Sequence, residues 1–160
     1  MTKSAFKHMQ WRAAMVASEM GEGAWEVLRR AEALEDGARL SEAIADLPKD
    51  LRAKAAVLLH AIATVMEGYR APHLLLPAGT PEILEQNPNI CSGSVRPRGH
   101  RFMAHQVLQS LAVDMTPDEM RQDFPAATRE IMVATVQLAE MLLRVALKTG
   151  TAHRAATAAP

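Results

Sequence analysis

Residues 115–125 read MTPDEMRQDFP, and this stretch decides the fold of the C-terminal half. Thr116 is of a type that caps helices, Pro117 suits the first helical position, and acids at 118 and 119 suit the positive end of the helix dipole. Pro125 then ends the helix, because proline interrupts the backbone hydrogen bonds. The stretch therefore predicts a short helix between two sharp turns.

Helices are expected on both sides of this short one. Residues 104–111 predict a helix before it, and a longer apolar-periodic segment follows Pro125. The longer helix leaves only a narrow polar strip, so most of its sides must be covered. That strip consists of Gln137, Glu140, Arg144 and Lys148. Two short helices followed by a longer one are typical of a homeodomain-like helix-turn-helix module.

The rest of the chain also favours helices, so the predicted fold class is all-α. Residues 1–70 predict an N-terminal bundle of about four helices, and the prolines and glycines of residues 71–81 predict a linker. Residues 82–148 form the predicted helix-turn-helix domain, with a turn or short hairpin at 92–102. Residues 149–160, rich in Ala and Thr, predict a disordered tail.

The composition is that of a globular protein in a reducing compartment. Hydrophobic residues make up 49% of the chain and charged residues 22%, which is enough apolar mass for a packed core. The single Cys91 excludes an intrachain disulfide. With no signal peptide and no apolar run of membrane-spanning length in the sequence, we expect a cytoplasmic protein with no membrane partner.

The charges are distributed unevenly although their sum is zero. No acid occurs between Gln86 and Val113, and this interval contains Arg96, Arg98 and Arg101. These arginines are candidates for phosphate contacts. Two alternatives remain open: they keep an exposed loop soluble, or they pair with carboxylates of a partner protein.

The start of the longest predicted helix supplies the remaining candidate residues. In a helix-turn-helix, the N-terminal residues of this helix reach base edges in the major groove. Here Arg129 is the best candidate for such a contact and Thr128 the next. The alternative is that both residues simply begin a core helix. The acids of the preceding short helix would repel DNA if they faced its backbone.

Four segments in order carry a resemblance to a known family. They are residues 87–93, 98–102, 115–120 and 123–125. Together they resemble the family called domain of unknown function 433, over roughly residues 82–145. That family resembles VapB-type antitoxins, and its members are often paired with PIN-like ribonuclease toxins. The chain differs from the family at Val95 and Pro97, where the family has Pro and Ile, and at His100, where it has Thr.

Enzymatic and metal chemistry have little support in the sequence. It contains no glycine-rich phosphate loop, nucleophile elbow or paired-carboxylate motif. The histidines at 60, 73, 100 and 105 lack the spacing of a metal site. We therefore expect no catalytic residues, no metal and no cofactor, while an enzyme whose residues meet only in space stays a third alternative.

Two hypotheses of function follow. In the first, the protein is an antitoxin-like regulator that binds promoter DNA through Arg96, Arg98, Arg101, Thr128 and Arg129, and also binds a toxin protein. In the second, the module is a protein-interaction or oligomerisation domain without DNA binding. A homodimer is expected, because helix-turn-helix proteins usually read two half-sites as dimers.

Overall fold

A computed structural model describes residues 1–158, with side chains through residue 150. Helices dominate it, and two strands of two residues each pair as a hairpin. The predicted all-α class with a short hairpin is therefore confirmed. The helices are α1 (Lys3–Met20), α2 (Glu22–Glu32), α3 (Leu40–Ala43), α4 (Lys49–Gly68), α5 (Ala104–Ala112), α6 (Pro117–Asp123) and α7 (Arg129–Ala158). The strands are β1 (Leu84–Glu85) and β2 (Arg96–Pro97), and a 3-10 turn spans Cys91–Gly93.

The N-terminal helices are separated by the breakers that the sequence supplies. Gly21 ends α1 with a φ of +56°, and its N–H donates to the carbonyl of Ala17 at 2.9 Å. The end of α4 packs closely on α1, because a Cβ at Gly68 would lie 2.7 Å from the Phe6 ring. The same ring meets Tyr69 edge to face at 5.3 Å, which joins the start of α1 to the end of α4.

The three C-terminal helices form as the 115–125 stretch predicts. The Thr116 hydroxyl accepts from the Glu119 N–H at 3.1 Å, and the Glu119 carboxylate accepts from the Thr116 N–H at 3.0 Å. Each side chain thus satisfies a backbone donor that the helix leaves unpaired. Asp114, with a φ of +65°, makes the sharp turn between α5 and α6.

The hairpin differs from the sequence-based expectation in its pairing. β2 pairs antiparallel with β1, which lies upstream of the predicted 92–102 hairpin, and Pro97 stands opposite Leu84. Pro97 is tolerated there because the Arg98 N–H donates to the Ile83 carbonyl at 2.7 Å, so the Leu84–Pro97 pair lies between ladder bonds and needs no proline donor.

One hydrophobic core joins the parts that the sequence assigns to separate domains. It contains buried residues of α1, α2 and α4 together with residues of α5, α6 and α7. Within the predicted 71–81 linker, Leu74 and Leu76 pack against this core. The Gln86 side chain fixes them by accepting from the Leu76 N–H and donating to the Leu74 carbonyl, both at 3.0 Å. The two halves on either side of residues 71–81 therefore share one hydrophobic core.

The apolar sides of α7 are covered within the chain. α1 and α2 pack along α7, and α4 and α5 cover it further. Gln137, Arg144 and Lys148 remain exposed, which agrees with the predicted polar strip. The predicted disordered tail is helical as far as Ala158, and residues 159–160 lie outside the described part. Over residues 1–158, no helix combines the length and the apolarity needed to cross a bilayer.

We predict that the chain unfolds in one cooperative transition, because its two halves share a core. Both tryptophans, Trp11 and Trp25, lie in the N-terminal half, whereas far-UV circular dichroism reports on all helices. Urea titrations followed by tryptophan fluorescence and by circular dichroism should therefore have coincident midpoints. A separate circular-dichroism transition without a fluorescence change would contradict a shared core.

Candidate nucleic-acid interface

The loop after β2 exposes two of the predicted arginines. The Arg98 side chain is 63% exposed and donates to the Glu82 carbonyl at 3.1 and 3.2 Å, and it also pairs with Glu85 at 3.0 Å. Arg101 is exposed, and its side chain makes no hydrogen bond or ion pair with the described residues. Phe102, at the end of the loop, stacks on Phe124 at 5.4 Å. This contact fixes the loop beside the turn between α6 and α7.

Arg96 is not available to phosphates, which corrects its place in the predicted set. Its side chain is only 5% exposed, and its guanidinium donates to the Glu85 carboxylate and to the His100 carbonyl. The cause is the register of the hairpin, which places Glu85 opposite Arg96. Glu85 lies just before the acid-free interval that contains Arg96. The Arg96–Glu85 pair therefore could not be predicted without knowing that β1 pairs with β2. Arg96 is a structural residue that fixes the loop at His100.

Thr128 and Arg129 stand at the beginning of α7, and both are exposed. The Thr128 hydroxyl accepts from the Ile131 N–H at 3.3 Å, as a helix cap does. The Arg129 guanidinium donates to the carbonyl of Leu34 at 3.3 Å. The two residues therefore stand at the exposed start of a core helix, and Arg129 also contacts the N-terminal half of the chain.

An open groove of about 530 Å³ lies beside this helix start. Pro81, Glu82 and Ile83 form one wall, and α7 residues from Arg129 to Gln137 form the other. Glu82 borders the groove beside Arg129, and its carbonyl binds Arg98. The fold thus connects Arg98 and Arg129, which are far apart in sequence, through Glu82, which accepts from Arg98 and lines the groove with Arg129.

Residues 34–41, which we call the strap, cross from the N-terminal half onto the helix-turn-helix. Arg39 binds α6 by donating to both oxygens of the Glu119 carboxylate at 2.6 and 3.0 Å. It also donates to the Asp114 carbonyl in the preceding turn at 2.7 Å. Ser41 donates from its hydroxyl and its N–H to the Asp114 carboxylate, at 2.6 and 2.9 Å. These charge-assisted bonds fix the α5–α6 turn.

The first part of the strap makes a second set of contacts. The Asp36 carbonyl accepts from the Asp118 N–H at 3.2 Å, and the Asp36 carboxylate pairs with Arg121 at 3.0 Å. The Leu34 carbonyl accepts from Arg129. The strap therefore contacts both α6 and the start of α7.

These contacts change the interpretation of the acids on α6. The Arg39 guanidinium, and after it the Thr116 amide, hold the pKa of the Glu119 carboxyl below its ordinary value. Asp118 pairs with Arg121 at 2.6 Å. Asp118 and Glu119 thus each pair with an arginine of the chain, although Asp118 shares Arg121 with Asp36. No sequence pattern predicts the Arg39–Glu119 pair, because the two residues are 80 positions apart.

A separate polar contact joins α2 to α7. Gln137 donates to the Glu32 carboxylate at 3.0 Å, and the Arg144 guanidinium lies 5.2 Å from the centre of the Trp25 ring. Burial, and then the charge of Glu32, raise the pKa of the Glu140 carboxyl, while Arg144 and Arg29 oppose the rise. These two contacts hold α2 along α7.

The histidines do not assemble a centre in the described residues. His105 is buried near the start of α5, and burial lowers its pKa; Glu67 opposes this shift, and Arg70 adds to it. Through residue 150, no three His, Cys, Asp or Glu side chains lie together as metal ligands would.

Comparison with known proteins gives one match. Residues 84–139 match the model of a family described as protein of unknown function DUF433. The matched segment runs from β1 through the hairpin, α5 and α6 into α7, and it leaves out α1 to α4 and the strap, although it includes the residues that the strap contacts. No curated protein and no solved structure matches the chain.

We predict that Glu85→Ala destabilises the fold by about 3 kcal/mol, because it leaves the Arg96 guanidinium buried without its counter-ion. The matched control is Arg98→Ala, which removes the exposed partner of the same carboxylate and should cost less than about 1 kcal/mol. Urea denaturation measures both variants. Equal effects would contradict the structural role of Arg96.

We predict that Glu140→Gln alters the pH dependence of stability. Because the pKa of Glu140 is raised by folding, its favourable contribution is present below its ordinary value of 4.5 and is lost as pH rises through the folded pKa. The variant should therefore gain stability relative to the parent between pH 4.5 and neutrality. Denaturation across this range checks the prediction, with Glu130→Gln, an exposed carboxyl of the same helix, as control.

Proposed function

We propose that the protein is an antitoxin-like regulatory protein that binds DNA through α5, α6 and α7 and also binds a partner protein. The observation that carries the DNA-binding half is the position of three exposed arginines around the turn into α7: Arg98, Arg101 and Arg129. The antitoxin half rests on the family matched over residues 84–139. Its resemblance to VapB-type antitoxins makes a PIN-like ribonuclease toxin the first partner to test.

In this proposal the arginines have different tasks. Arg98 and Arg101, on the loop after β2, bind phosphates and supply a salt-dependent attraction without sequence preference. Arg129, with Thr128 beside it, reaches base edges from the start of α7. Arg96 contributes only through its bond to the His100 carbonyl, which holds the loop in place. A homodimer would present two such modules to two half-sites, and its interface would use surfaces other than the covered arc of α7.

A second candidate function is protein or oligomer interaction without DNA binding. The observation that favours it is the number of carboxylates near the arginines. Glu82, Glu85 and Glu130 lie at the groove or the hairpin, and Arg98 already pairs with Glu85. In this case the groove beside α7 is the contact surface, and the exposed Arg101 pairs with an acidic group of the partner.

We predict that reversing two exposed arginines, Arg98→Glu and Arg101→Glu, abolishes binding to a duplex of the upstream promoter region. The parent should bind this duplex and lose affinity steeply between about 50 and 200 mM salt, because phosphate contacts release counter-ions. The matched control is Lys7→Glu with Arg12→Glu, an equal change of charge on exposed residues of α1, which should bind more tightly than the first variant.

Gel shift and fluorescence anisotropy at both salt concentrations measure these affinities, and light scattering gives the mass of the binding species. Absent or salt-insensitive binding by the parent would remove the DNA-binding half of the proposal. If the double reversal then weakens only a copurifying protein complex, the second candidate function is favoured. A monomeric mass would remove the homodimer.

A further inference from the structure

We propose that the strap, residues 34–41, is an autoinhibitory element that occupies the DNA-reading end of the module and is displaced when DNA binds. The inference rests on the proposed DNA binding and adds its regulation. It starts from the hydrogen bonds and ion pairs that the strap makes with the C-terminal half, which fall on residues 114–129. A segment of the N-terminal half thus decides whether the module is accessible.

The strap lies where a duplex would have to lie. In a three-helix module of this type, the second helix crosses the DNA backbone. The third is the recognition helix, and it enters the groove by its N-terminal residues. Here the second helix is α6, and the strap bonds to it at Asp118, Glu119 and Arg121. The third is α7, and the strap bonds to its first residue, Arg129. DNA cannot approach both helices while these bonds persist.

The strap binds Arg121 and Arg129 through oxygen atoms, which are also the acceptors that a DNA backbone would provide. Arg121 binds a carboxylate oxygen of Asp36, and Arg129 binds the carbonyl oxygen of Leu34. Guanidinium groups bind phosphate oxygens with the same geometry as carboxylates. A phosphodiester backbone can therefore replace the strap at both arginines, so that each guanidinium group keeps an acceptor.

The attachment of the strap permits local release. Glu35, Asp36 and Gly37 are exposed, whereas Leu34 and Leu40 are buried in the core at either end. Between these anchors the half-buried Ala38 packs against the core, and the other contacts with the module are ionic and polar ones near the surface, which water and salt weaken. The middle of the strap can therefore open while α2 and α3 stay packed, in the manner of a low-stability local unit.

The test uses the full chain with Asp36→Ala and Arg39→Ala together, which opens the strap without changing the net charge. Affinity for the promoter duplex should rise by about three- to tenfold, because a larger fraction of molecules is then competent to bind. The matched control is Glu19→Ala with Lys54→Ala, which removes another surface ion pair, between α1 and α4, also without net charge. Its affinity should equal that of the parent.

The outcomes separate this inference from the proposed function. If the parent and the strap variant bind equally, and the reversal of Arg98 and Arg101 weakens both, DNA binding stands and the autoinhibition is overturned. If neither binds the duplex, the proposed DNA binding fails and the inference fails with it. If only the strap variant binds, both ideas are supported.

Hydrogen exchange of the parent provides a readout that does not depend on the variants folding. Duplex DNA should accelerate exchange of the Asp118 amide, which donates to the Asp36 carbonyl, because that acceptor leaves when the strap is displaced. The Gly21 amide, bonded to the Ala17 carbonyl at the end of α1, is the internal control and should keep its exchange rate. An Asp118 amide that stays protected on saturation with DNA would overturn the proposal.

Discussion

The apolar arc of α7 is the constraint on which the rest of the structure depends. Buried side chains occur along most of its length through Ala146, and a single neighbouring helix cannot cover so wide an arc. α1, α2, α4 and α5 all pack against it. The N-terminal half therefore completes the core of the C-terminal one, and the shared core follows directly from this single helix.

This packing also determines what the helix-turn-helix presents to other molecules. Because α2 lies along α7, the chain that leaves α2 must pass the start of α7, and the strap follows that path. The Leu34 carbonyl then binds Arg129, and Arg39 binds Glu119. A module of three helices on its own would have left these groups to solvent. The proposed autoinhibition is thus a consequence of how the longest helix is buried.

The hairpin controls the loop arginines by a different principle. An antiparallel register places specific residues opposite each other, and here it places Glu85 opposite Arg96. Arg96 is buried in that pair, whereas the side chain of Arg98, which pairs with the same carboxylate, stays largely exposed. Neighbouring arginines in one basic stretch therefore have opposite roles, one holding the loop and the other facing solvent.

Local chemistry in the sequence determined the elements. The capping residues Thr116 and Glu119, the proline at 117 and the glycine at 21 define helix ends through backbone hydrogen bonds between near neighbours, so the trihelical order could be predicted. Tertiary structure alone decided which arginines are free. Arg39 pairs with Glu119 and Arg96 with Glu85 only because packing and strand register bring these residues together. Local sequence patterns do not indicate which distant residues lie close in space.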